Sequence, residues 1–94
     1  MDNSKELKDN ILKLSFELEQ QYDLNFKHHC YLRIAYDTTV RDKWNNVIKS
    51  PFLNNCTYDN LINVFGLLLC YQINQKILLY DNEISLGYRN KINQ

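Results

Sequence analysis

The chain has 94 residues, 45% of them hydrophobic, and its eleven basic and eleven acidic side chains leave no net charge. A chain this long makes one domain, spanning 1–94, that buries only about two-thirds of its unfolded surface, and its apolar content is enough for folding rather than disorder. The charge balance excludes a general nucleic-acid or anionic-membrane binder, which carries a basic excess for phosphate contacts. It also removes the repulsion that keeps small proteins apart, which favours self-association.

Near the N-terminus, Lys5, Glu6, Lys8 and Asp9 stand where a signal peptide needs an apolar run, so no export signal is expected. Asn3 and Glu6 suit a capping box for a first helix from about Ser4 to Tyr22. Leu7, Ile11, Leu14 and Leu18 recur there at spacings of four and three, a narrow seam of coiled-coil type. That seam has two possible destinations, the next helix of the same chain or a second copy. Leu12 and Phe16 widen the apolar surface, and Asp9–Lys13 and Lys13–Glu17 are outward pairs. Between Asp23 and Lys27 there is no Gly or Pro, so the turn relies on Asp23 or Asn25; either can cap the next helix, and Asn tolerates the left-handed conformation.

A central helix is expected from His28 to about Lys49, stopped at Ser50 because Pro51 comes next. At about 100° per residue, Leu32, Tyr36, Val40 and Val47 fall on one apolar edge, and Cys30, Ile34 and Ile48 on the other. Between the edges run His29, Arg33, Asp37 and Arg41 at i, i+4 spacing, continued by Trp44. Ionisable groups framed by apolar side chains are buried and paired, open at a groove, or facing a partner. As a ladder, Asp37 pairs with Arg33 or Arg41, and the second arginine reaches a carboxylate elsewhere, such as Glu83. As an anion site, one net positive charge and His29 face a groove, where the planar guanidinium suits phosphate or carboxylate.

Ser50 to Cys56 reads as a loop, with Phe52 and Leu53 free to tuck onto the core. Thr57 is a good N-cap, and Asp59 favours the positive end of the helix beginning there. From Leu61 to Ile73 that helix is apolar nearly all round, as expected of the most buried helix at the centre of a bundle. Gly66 weakens it by about 1 kcal/mol against Ala, and the usual compensation is close approach of a neighbour. Its longest apolar run, Val64 to Tyr71, is too short to span a bilayer. Lys76 to Leu86 reads as a last helix with Gly87 at its C-terminus; a hairpin at Asp81–Asn82 is the alternative. The expected fold is all-α: a small four-helix, bundle-like domain with three long helices and one shorter.

Function is less legible. Cys30, Cys56 and Cys70, with no C-x-x-C, fit reduced and mostly buried thiols of a cytoplasmic protein. His28, His29 and Cys30 are zinc-ligand types, but adjacent helical positions diverge, so no metal is expected, nor any cofactor. His29 and Asp37 lie two turns apart, too far for a dyad, and no nucleophile motif is present, which leaves an enzyme using His29 as the third option. Seven tyrosines, four phenylalanines and Trp44 exceed what a small core buries, and Tyr with Arg is typical of interfaces. The leading expectation is a non-catalytic cytoplasmic interaction protein, homo-oligomeric through its central helix. The candidate ligand- or partner-binding residues are His29, Arg33, Tyr36, Asp37, Arg41, Trp44 and Arg89. The alternative is a binder of a small anion, phosphate or nucleotide, held between helices or subunits.

Overall fold

Every regular element in the computed structural model, which describes residues 4–90, is helical. The order is α1 Ser4–Gln21, α2 His28–Val40, a 3-10 turn Trp44–Asn46, α3 Phe52–Asn55, α4 Tyr58–Ile73 and α5 Gln75–Asn90. The expected all-α bundle is what forms, with four long helices and a single short one. No hairpin interrupts α5, since Asp81 and Asn82 lie within it. The Asn3 cap falls outside the described residues.

Along α1, Ile11, Leu14 and Leu18 are buried against α4 and α2, so the apolar seam is covered by its own chain. Tyr22 extends this packing by donating its hydroxyl to the Tyr71 carbonyl at 2.6 Å. Asn25 supplies the reversal with a φ of 61°. The start of α2 is capped from α1 rather than by Asp23 or Asn25: the His28 amide donates to Glu19 Oε1 at 2.6 Å, and Phe16 stacks on the His28 ring at 4.0 Å.

The central helix is shorter than its periodicity implies. It ends at Val40, not near Lys49, because Arg41 turns left-handed at φ 59°, ψ 39° and donates its amide to the Asp37 carbonyl at 2.7 Å. Thr38, Thr39 and Val40 form a β-branched run with low helix propensity. The Asp37 side chain then accepts from the Trp44 amide at 2.8 Å, which draws the chain back onto α2. Trp44 therefore sits on a separate turn, not on the row with Arg41. Beyond it Phe52 does tuck in, stacking on Tyr36 at 3.9 Å with the Trp44 indole edge-on to both rings.

Helix α4 opens with a complete capping box: Thr57 Oγ1 accepts from the Asn60 amide at 3.0 Å, and Asn60 Oδ1 from the Thr57 amide at 3.1 Å. It buries Leu61, Val64, Leu68 and Tyr71, yet leaves Ile62, Leu69 and Ile73 exposed. The most buried helix is instead α2, with Tyr31, Leu32, Ile34, Ala35, Tyr36 and Asp37 all inside. Both α2 and α4 pack on the other long helices, and α1 and α5 take the two flanks. Gly87 does not end α5, which continues to Asn90. Cys70 is exposed, against the expectation of a buried thiol, and Cys30 and Cys56 are half-buried. Among the described residues no helix is long and apolar enough to cross a membrane.

Candidate functional site

The row on α2 meets α5 along the inner face of that last helix. At helical spacing from Leu78, α5 turns Asp81, Asn82, Ser85 and Arg89 inward. Asp37 is fully buried and saturated: Oδ1 accepts from the Trp44 amide at 2.8 Å and Arg89 Nη2 at 3.0 Å, and Oδ2 from Ser85 Oγ at 2.6 Å and Arg89 Nε at 2.9 Å. Arg33 does not bond Asp37 directly. Its Nη1 donates to Ser85 Oγ at 2.7 Å and its Nη2 to Asn82 Oδ1 at 2.9 Å. Burial, then the neighbouring Arg89 cation, push the Arg33 guanidinium below its ordinary value. One serine hydroxyl thus links the two arginines through Asp37, accepting a hydrogen bond from Arg33 and donating its own to the carboxylate.

A second buried contact joins α4 to α5, where the Tyr71 hydroxyl donates to Asp81 Oδ2 at 2.7 Å. Burial, with that carboxylate beside it, raises the Tyr71 hydroxyl well above the usual phenol range. Burial raises Tyr36 likewise. The polar groups of α5 therefore hold it to α2 and α4 by hydrogen bonds, and Leu78 is the only large apolar side chain it buries fully.

The remaining candidates lie apart. His29 is exposed beside His28, their rings edge-on at 5.5 Å. Arg41 is exposed at the other end of α2, about 18 Å away at 1.5 Å per residue. It lines an open depression of about 510 Å³ with Thr38, Thr39, Asn60, Asn63 and Asp59, whose carboxylate opposes an anion. Glu83, considered as a partner for the second arginine, is exposed and makes no ion pair among the described residues. Arg33 and Arg89 spend their donors inside, so the cations do not converge on one opening. Tyr36 and Trp44 belong to the aromatic stack under the 3-10 turn. Among the described residues no three His, Cys, Asp or Glu side chains come together as a metal set. Comparison with protein-family models, curated proteins and solved structures gives no match.

Sequence reasoning named Arg89 but missed Asp81, Asn82 and Ser85. Their signal is visible in retrospect: they share a face with Leu78, so the polar side of α5 is the one that matches the charged row of α2. The consequence is outside. Ile77, Leu79, Tyr80, Ile84 and Leu86 are exposed on α5, as are Ile62, Leu69 and Ile73 on α4. Gly66 and Gly87 belong to these outer surfaces, and a Cβ added at either would meet nothing within 4 Å among the described residues. The close neighbour expected at Gly66 is absent among the described residues.

Proposed function

We propose that this chain is a non-catalytic interaction module that associates with itself through the outer faces of its last two helices. The observation that carries this is the inverted amphipathicity of α5, which buries Asp81, Asn82 and Ser85 while exposing Ile77, Leu79, Tyr80, Ile84 and Leu86. Grouped apolar side chains on a monomer surface mark contact sites. Ile73, 84% exposed at the end of α4, and Tyr80, 68% exposed, are the largest such costs. The central helix, expected to form the joint, has its apolar side turned inward, so the proposal moves the joint to α4 and α5. Lack of net charge offers no opposition to pairing.

A cytoplasmic site of action goes with this proposal, supported by three free thiols, one of them exposed. Sedimentation velocity across the micromolar range tests the association. The chain should sediment as a dimer or larger species, and Ile73→Glu or Tyr80→Glu should shift it to monomer with its helicity retained. A wild-type chain that stays monomeric at every concentration would overturn the proposal.

A further inference from the structure

We infer that two copies pair antiparallel along α5, about a two-fold axis beside Tyr80. The inference rests on the self-association proposed above and supplies its geometry. At 100° per residue Ile77, Tyr80 and Ile84 form one outward stripe, exposed by 39%, 68% and 37%. Along one edge of that stripe lie Lys76 and Glu83, two turns apart, both exposed and neither in a side-chain ion pair among the described residues.

A two-fold axis normal to the plane of two antiparallel helices keeps matching edges on the same side and reverses their order. Lys76 of one copy then stands opposite Glu83 of the other, and the reverse pair forms at the symmetric position. The same operation sets Ile77 against Ile84 and Tyr80 against itself. Each of these matches centres within about one residue rise, 1.5 Å, of Tyr80. Such self-complementarity, apolar in the middle and of opposite charge at symmetric ends of one edge, is what an isologous interface requires. A foreign partner has no need of it.

Gly87 fits the same register. It lies two turns beyond Tyr80 on the outward side, opposite the start of the other copy's α5, where Ile73 needs cover. Glycine is a poor choice inside a helix, and one of its uses is close approach of another backbone; nothing among the described residues makes that approach. Ile73, Ile77, Tyr80 and Ile84 together expose on the order of 500 Å² of surface, more than half of the roughly 800 Å² that each partner of a standard interface buries.

The test is charge reversal read by sedimentation equilibrium, on wild type, Lys76→Glu, Glu83→Lys and the double variant, with circular dichroism as a check of folding. Each single reversal places like charges together twice per dimer and should raise the dissociation constant on the order of tenfold. The double variant restores opposite charges and should recover the wild-type value. A wild-type dimer that is equally tight in all three variants would overturn this register and move the joint to α4. A monomeric wild type would instead overturn self-association itself and assign the apolar faces to a different protein.

Discussion

Arg89 holds Asp37 with both prongs of its guanidinium, across 52 residues of chain. The pair has the two-bond geometry that makes arginine–carboxylate contacts strong, and Asp37 has no access to water. Arg89 is the only cation that touches this carboxylate among the described residues, whereas Arg33 reaches neutral oxygens. The two arginines that flank the same aspartate are therefore unequal.

Substitution should rank them. Asp37→Asn leaves Arg33 and Arg89 facing each other without the anion, and loss of one member of a buried pair costs about 3–5 kcal/mol. Arg89→Met should cost a similar amount by stranding Asp37. Arg33→Met removes two hydrogen bonds but also relieves the repulsion from Arg89, so its cost should be clearly the smallest. Urea unfolding of the three variants checks the order, and an Arg33→Met as damaging as Arg89→Met would contradict it.

Two buried tyrosines should respond in opposite ways to loss of the hydroxyl. Tyr71→Phe strips Asp81 of its donor and should destabilise by about 1–3 kcal/mol. The Tyr31 hydroxyl is buried with no hydrogen-bond partner among the described residues. Tyr31→Phe should therefore be neutral or stabilising. Thermal unfolding of both variants provides the comparison.

Alkaline pH should act through the same rings. Burial raises Tyr31, Tyr36 and Tyr71 in the folded chain, against about 10 when unfolded. A raised folded value means that the unfolded chain gives up these protons first. Their contribution is fully present below about pH 10 and declines above it, by about 1.4 kcal/mol per pH unit for each tyrosine. Unfolding free energy measured above pH 10 should fall less steeply for Tyr71→Phe than for wild type. Equal slopes would show that Tyr71 titrates alike in both states.

Phe52 anchors the segment between α2 and α4. It is 2% exposed and stacks on Tyr36, so Phe52→Ala should cost about 3–5 kcal/mol. Trp44 loses an edge contact at the same time, and its fluorescence should shift to the red as water reaches the indole. An unshifted spectrum with full stability would mean that the stack is dispensable.

Much of the fold could be read from periodicity and caps. Leu7 to Leu18 predicted α1, Thr57 predicted the start of α4, and Asn25 was one of two candidates, with Asp23, for the turn, because each is decided by neighbours in sequence. The end of α2 was missed because Val47 and Ile48 keep the helical rhythm past the break. The competing signal was local, the β-branched run at Thr38 to Val40, and it won with help from a tertiary contact between Asp37 and the Trp44 amide. The i, i+4 row invited pairing within one helix, yet Asp37 takes its cation from α5. No local pattern can specify a partner that distant. The apolar content of α4 likewise gave its hydrophobicity but not which side would be covered.

The Asp37–Arg89 pair also sets an order of events during synthesis. At about 5–20 residues per second, the ribosome adds Arg89 several seconds after Asp37. For that interval the nascent chain holds an aspartate that water must solvate and an α2 surface that nothing from α5 can yet cover. The carboxylate enters the interior only when the last helix delivers its guanidinium.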